Sequence, residues 1–168
     1  NRTFTAQWAA RMYNLTIMAD GKVITRSSVP FSADLSSLDL GLPPAKEGYE
    51  SVGWDTPVPN QMPASNVTIR AVYQINSYTF IALDEEGNEL ANTQVEFKGA
   101  VPLPTPPEKE GYTFSGWGDA PASMPAGDVT IQAEYDVNSY PVTFVDSEGN
   151  TLGSIEVEFE APITPIEA

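Results

Sequence analysis

The chain has no cysteine and no histidine. Without cysteine no disulfide can staple a small domain, and without either residue the Ser-His-Asp and Cys-His triads and the ordinary zinc sites are excluded. An enzyme built from this sequence would have to work with carboxylates, lysines and hydroxyls. Paired carboxylates can hydrolyse glycosides, but they need a cleft that gives the two groups unequal environments, and pockets of about 300 Å³ or more are seldom enclosed by units of the size found below. The reading is therefore non-enzymatic, with no catalytic residue, no metal and no cofactor. Basic residues are also scarce, 8 lysines and arginines against 23 acids for a net charge of −15. Phosphate binding needs a positive patch, so this balance argues against nucleic acid, heparin-like glycans and anionic membranes. No apolar run approaches the roughly 18 residues of a membrane-spanning helix, nor does a positively charged start precede a signal-type core.

What the chain does contain is a repeat. Glu47-Gly48-Tyr49-Glu50-Ser51-Val52-Gly53-Trp54 returns as Glu110-Gly111-Tyr112-Thr113-Phe114-Ser115-Gly116-Trp117. Met62-Pro63 and Met124-Pro125 follow, and each copy closes on a strand-like run, Asn66 to Tyr73 and Asp128 to Tyr135. Trp54 and Trp117 lie 63 residues apart, a period long enough to hold a hydrophobic pattern of its own, which suggests small domains in tandem. At about 60 residues such a domain buries only about 60% of its unfolded surface, so each unit should be modestly stable.

The order of elements repeats as well. Residues 1–8 align with the closing strand, Trp8 standing where Tyr73 and Tyr135 stand, so Thr3 to Trp8 is expected to be a strand. Five residues after each closing aromatic, Tyr13, Tyr78 and Tyr140 each begin an alternating run that predicts a half-buried strand. Turns with glycine follow at Asp20-Gly21, Glu86-Gly87-Asn88 and Glu148-Gly149-Asn150. The returning strands put Ser27, Val29, Phe31, then Thr93, Val95, Phe97, then Ile155, Val157, Phe159 on the inner face. The proline tract Pro102 to Pro107 lacks the N–H donors of an interior strand and reads as an extended arm. In the first unit the arm is longer, and Leu35, Leu38 and Leu42, with Ser32 as N-cap and Gly41 near the end, suggest about two helical turns.

Taken together, the alternating strand from Tyr, the Gly-Asn turn, Lys-Glu-Gly-Tyr-Thr-Phe-Ser-Gly-Trp and Met-Pro-Ala-Gly-Asp-Val-Thr-Ile-Gln-Ala-Glu-Tyr resemble the Listeria–Bacteroides repeat family, the B-repeats of internalin-type surface proteins. The resemblance covers essentially the whole chain. It implies a mainly β or α+β fold of tandem, small β-grasp-like (ubiquitin-like) modules arranged as beads on a string. It also implies an extracellular place on a Gram-positive or gut bacterium, and a stalk, spacer or adhesive role. The divisions are 1–12 as the closing strand of a preceding repeat, 13–76 and 77–138 as modules, and 139–168 as the first hairpin of a third.

Within that frame Trp8, Tyr13, Tyr49, Trp54, Tyr73, Tyr78, Phe97, Tyr112, Phe114, Trp117, Tyr135 and Tyr140 are the expected repeat core, since aromatics supply most of the burial in a small domain. Their alternative use is a stacking platform for carbohydrate. The acidic turns Asp84 to Asn88 and Asp146 to Asn150 lack the spacing of a calcium loop and read as solvated hairpin turns. The four lysines, Lys22, Lys46, Lys98 and Lys109, fall in turns or on wet faces, which argues against a buried Lys–Asn isopeptide bond. Asn1, Asn14 and Asn66 open glycosylation sequons within expected strands. Joints of about four residues without Gly or Pro, at 9–12, 74–77 and 136–139, predict an extended, semi-rigid array. A protein or host-surface partner is expected. Phe4 and Trp8 at one end, and Phe144, Val157 and Phe159 at the other, mark edges for strand addition, including head-to-tail self-association.

Overall fold

The computed structural model describes residues 2–164, and among them there is no helix. Among the described residues eleven strands form two units that divide between Asn76 and Ser77, the third hairpin falling within the second.

In the first unit β1 (Met12–Ala19) and β2 (Lys22–Pro30) form an antiparallel hairpin, and β3 (Tyr49–Trp54) and β4 (Val67–Ile75) complete a sheet of order β2-β1-β4-β3. The two central strands run parallel, Leu15 beside Val67 and Ile17 beside Ile69, because the arm and β3 carry the chain back before β4 enters. The hairpin closes through Asp20 and Gly21, both at positive φ (48° and 73°), which matches the right-handed twist of the strands it joins. Leu15, Ile17, Met62 and Ile69 are its buried centre, with Tyr13, Val29, Leu35, Leu40 and Trp54 packed around them.

The second unit repeats this order with one interruption. β5 (Ser77–Leu83) pairs with β6 (Glu89–Glu96) and, in parallel, with β8 (Val129–Gln132), while β7 (Tyr112–Gly116) pairs with β9 (Glu134–Val137). β8 and β9 together correspond to β4. The break between them falls at buried Ala133, whose N–H donates to Leu83 at 3.0 Å. Phe80, Ala82, Trp117, Met124, Ile131 and Ala133 form the core. A third hairpin follows, β10 (Ser139–Val145) and β11 (Thr151–Glu158).

Both units anchor their methionine in the same way. Ser32 N–H donates to Met62 O and Met62 N–H to Ala33 O, at 2.9 Å each; in the second unit Lys98 donates to Met124 O and Met124 to Gly99 O, at 2.8 and 2.9 Å. These reciprocal bonds hold Met62 and Met124 in the interior at 1% exposure, deeper than any of the tyrosines. They also hold Ser32 and Lys98 at φ of 60° and 63°, a left-handed conformation rare for residues with a side chain.

Two expectations are overturned. The leucine passage of the first unit is not helical. Asp34 and Asp39 accept the N–H groups of Ser36 and Gly41 at 2.9 Å, Asx turns that compete with helical bonding, and Leu35 N–H is taken by Asn60 at 2.8 Å. Nor do residues 2–11 form a strand. Phe4 and Trp8 are 90% and 93% exposed, so Trp8 is not a core residue, because no strand among the described residues lies alongside to complete a ladder. The expected four-residue joints also shrink, since only Asn76 separates β4 from β5 and only Asn138 separates β9 from β10.

Candidate functional site

Of the aromatics of the repeat phrase, Trp54, Phe114 and Trp117 pack on the cores of their units, while Tyr49 and Tyr112 lie half-buried beside them. In the second unit Phe114 meets Trp117 edge-to-face at 5.5 Å and Tyr135 at 5.7 Å, and Trp117 is 8% exposed. In the first unit Ser51 stands where Phe114 does. Trp54 is half-buried and its indole N–H donates to Gly41 O at 2.8 Å, so the leucine arm supplies what the missing phenyl ring would have filled. Tyr13, Tyr49, Tyr73, Tyr78, Tyr112 and Tyr135 are half-buried and Phe97 is buried. Tyr140 is 47% exposed, so it stands outside the buried core.

Lys46 and Lys109, expected in turns or on wet faces, instead sit in equivalent clamps. Lys46 binds Asp20 at 2.7 Å and lies 4.2 Å from the Tyr49 ring centre, while Lys109 binds Glu85 and lies 4.1 Å from that of Tyr112. The ion pair with the first hairpin's acid holds each ammonium above the ordinary lysine range. Tyr73 and Tyr135 donate their hydroxyls to the carbonyls of Pro44 and Pro107, at 2.9 and 2.6 Å. Each proline arm is thereby tied to the first hairpin and to the closing strand, which is the connecting role its composition suggested.

The acidic turns are likewise occupied by their own chain. Asp84 accepts both the backbone and the side-chain amide of Asn88 at 2.7 Å, and Asp146 accepts those of Asn150 at 2.8 and 2.9 Å. These hydrogen bonds hold both carboxyls below the ordinary aspartate range. Among the described residues no group of three or more acidic side chains is arranged to hold a metal.

The third hairpin is docked on the second module through one ring. Phe159 packs edge-to-face on Tyr112 at 6.0 Å and against Gly111, where a Cβ would collide with it. Asn138 links the two. Its N–H donates to Gly111 O and its carbonyl accepts from Phe159 N–H, both at 2.8 Å, and its side-chain oxygen accepts from Thr113 Oγ1 at 2.6 Å. Phe144 and Val157 are half-buried.

What remains open is backbone. The strand β2 ends its sheet and is exposed along its length except at half-buried Val29. The ladder's phase follows from two bonds: Phe31 N–H donates to Arg11 O at 2.7 Å, and Asn14 N–H turns the other way, to Asn66 Oδ1 at 2.8 Å. Pairs in an antiparallel ladder alternate, so Ser28 and Arg26, opposite Asn14 and Thr16, direct their N–H and C=O groups away from β1. The second unit agrees: Thr79 N–H goes to Asp128 Oδ1 at 2.7 Å, leaving Gln94 and Asn92 of β6 turned outward. Pro141 occupies the place of Asn14 and Thr79 in β10 and has no N–H to satisfy.

Beside β2 the first unit holds a half-open cavity of about 340 Å³, lined by Leu15, Ile17, Ile24, Leu38, Leu40 and Trp54. Thr25 and Ser27, the inner-face positions of β2, border it. At the matching positions of the second unit stand Ala91, which packs on the core, and exposed Thr93.

Residues 78–138 match the Listeria-Bacteroides repeat domain family. A Gly-rich membrane protein of Evansella cellulosilytica is 25% identical over an alignment covering 97% of this chain and 21% of that protein. Internalin H of Listeria monocytogenes is 34% identical over 58% of this chain and 21% of its own length, and a second E. cellulosilytica membrane protein 31% over 58% and 16%. The chain thus spans about a fifth or less of each of these relatives.

Proposed function

Residues 78–138 belong to the Listeria-Bacteroides repeat domain family, and from that premise we propose that the chain is a non-catalytic repeat segment of a bacterial cell-surface protein, a spacer that also meets other proteins through its sheet edges. One observation carries the reading. Both units spend the Trp of the repeat phrase, Lys46 or Lys109, and an acid of the first hairpin on holding themselves together, and each leaves one whole strand edge, β2 or β6, with outward backbone groups. Groups already committed to packing and turn closure are poor material for catalysis, whereas unpaired strand edges are a ready template for another strand. The hairpin, the parallel closing strand and the flanking β3 fit a β-grasp-like sheet in which an arm replaces the crossing helix. The membrane-protein and internalin descriptions of the relatives support an extracellular place, on a Gram-positive host. A carbohydrate-binding array has less support, since Trp117 and Phe114 spend their faces on each other and on Tyr135.

The test uses the parent protein on intact cells. Antibodies against residues 77–138 should label unpermeabilised cells, and replacing both units by two unrelated modules of equal size should preserve display of whatever they carry. Labelling only after permeabilisation would contradict the surface reading; loss of display in the swapped protein would contradict the spacer role.

A further inference from the structure

We propose that the first unit alone is a strand-accepting receptor, in which an extended partner peptide adds to β2 and inserts an aliphatic side chain into the cavity beside it. The inference deepens the reading of sheet edges as contact surfaces and rests on it. Strand addition takes its affinity from main-chain hydrogen bonds and its specificity from pockets that accept alternate side chains. Both parts are present together only if the free edge and the pocket adjoin, and here they do. Arg26 and Ser28 offer outward N–H and C=O groups, while their neighbours Thr25 and Ser27 border the cavity. A strand laid against β2 would carry every second side chain over that opening.

The lining defines the anchor. Leu15, Ile17, Ile24, Leu38 and Leu40 surround the space with Trp54 at one wall, and a volume near 340 Å³ suits one leucine- or isoleucine-sized side chain with room for a second residue's methyls. Ile24 is 49% exposed and Leu42, which also borders the cavity, 76%, an apolar rim to the opening. The one carboxylate in the lining, Asp39, already accepts the Gly41 N–H at 2.9 Å.

Charge defines the alternate residues. β2 carries Lys22 and Arg26 and no acid, and on the sheet's outer face Arg26 reaches Thr16 Oγ1 at 3.4 Å rather than a carboxylate. Arg70 shares that outer face on β4. The partner that fits is therefore an extended segment in which aliphatic residues, turned to the cavity, alternate with Asp or Glu turned to Arg26. The matching edge of the second unit offers no such receptor, since β6 begins and ends in Glu89 and Glu96 and Ala91, at the place of Thr25, is packed on the core. Pro30, at an outward position without an N–H, sets the limit of the accepting stretch at β2's end.

The experiment titrates the ¹⁵N-labelled full chain with a peptide of the sequence Gly-Ser-Ile-Glu-Val-Glu-Phe, and with its counterpart in which both Glu are Lys. The acidic peptide should shift the Trp54 indole N–H and the Arg26 and Ser28 amides at concentrations below about 1 mM, the range of weak strand-groove complexes. Ser28→Pro removes one outward donor while leaving the ladder to β1 intact, and should weaken binding at least tenfold with the remaining β1 and β2 amides unmoved. Arg26→Glu should reverse the preference between the two peptides. Absence of shifts with the acidic peptide would overturn the proposal, as would equal binding of both peptides. Binding unchanged by Ser28→Pro would mark a small apolar ligand site instead of a strand groove. Concentration-dependent dimerisation of the peptide-free chain that Ser28→Pro abolishes would make a second copy the occupant. None of these failures touches the surface labelling that tests the spacer reading.

Discussion

Residues 1–76 carry six basic and six acidic side chains, whereas residues 77–168 carry two and seventeen, so the whole net charge of −15 resides in the second half. The two halves nevertheless build the same order of strands around a parallel central pair, with a methionine held at 1% exposure in each. The fold therefore follows the inner face and the turn chemistry, while surface charge is free to diverge. A second difference lies inside. Where the second unit fills its interior with Phe114 against Trp117 and Tyr135, the first substitutes Ser51 and a leucine arm, and is left with a cavity.

Phe80 and Ile69 are each 0% exposed, and Phe80→Ala should cost about 3–5 kcal/mol and Ile69→Ala about 2–5 kcal/mol. If each unit has its own core, circular dichroism melts of the full chain should show two transitions with only the mutated unit's displaced. Equal displacement of both transitions by either variant would join the units into one cooperative block.

A smaller effect sharpens the exchange of phenyl ring for arm. Phe114→Ser copies the first unit's residue into the second, removes two edge-to-face contacts, and brings no arm to compensate. A loss of about 2–3 kcal/mol is expected from the half-buried ring, with a changed near-ultraviolet signal from Trp117. A neutral result would show that the cluster is not what stabilises the second unit.

Charge should separate the units in salt. Raising ionic strength at neutral pH screens the self-repulsion of the second unit and has little to screen in the first, so the second unit's transition should rise more. At low pH the sign follows from Asp84 and Asp146, whose carboxyls are lowered by their asparagine partners. Their stabilisation is present above the unfolded value of about 4 and disappears as pH falls through the folded values. Lys46 and Lys109 are raised by Asp20 and Glu85, so their contribution is full below about 10.5 and is lost as pH climbs through the folded values, alike in both units. Melts across pH 2–7 and 9–12 check both directions.

The smallest expected effect is on the shared turn. Ser32→Gly and Lys98→Gly relieve left-handed strain but free the unfolded chain, leaving a net gain of a few tenths to about 1 kcal/mol, equal in the two units. Destabilisation of either would mean that the side chain itself holds the turn.

Much of this was legible in the residues. The repeat phrase, the alternation from Tyr13, Tyr78 and Tyr140, and the turn glycines determine the strands locally, because period-2 patterning and positive φ are properties of neighbouring residues. Met62 and Met124 were visible as landmarks but not as the deepest residues, since their burial depends on backbone bonds to the turn some thirty residues earlier. The leucine arm misled because its three- and four-residue spacing is helical while its two aspartates favour Asx turns. Trp8 misled because a strand sequence needs a neighbouring strand. The β2 groove could not be read at all: the outward phase of Arg26 and Ser28 and the cavity between β1, β2, the leucine arm and Trp54 emerge only when separate segments are placed together.

Hydrogen exchange of the full chain, resolved by residue, tests most directly the claim that one module is built twice. The slowest amides should include those of the parallel central strands at matching places, around Ile17 and Ile69 and around Ala82 and Ile131, since these sit at the centre of each sheet. Thr25, Ser27 and Val29 should be protected while Arg26 and Ser28 exchange quickly, with Thr93 and Val95 protected and Asn92 and Gln94 quick in the second unit. Protection of Arg26 and Ser28, or a pattern that fails to coincide when the second unit is laid over the first, would contradict the account.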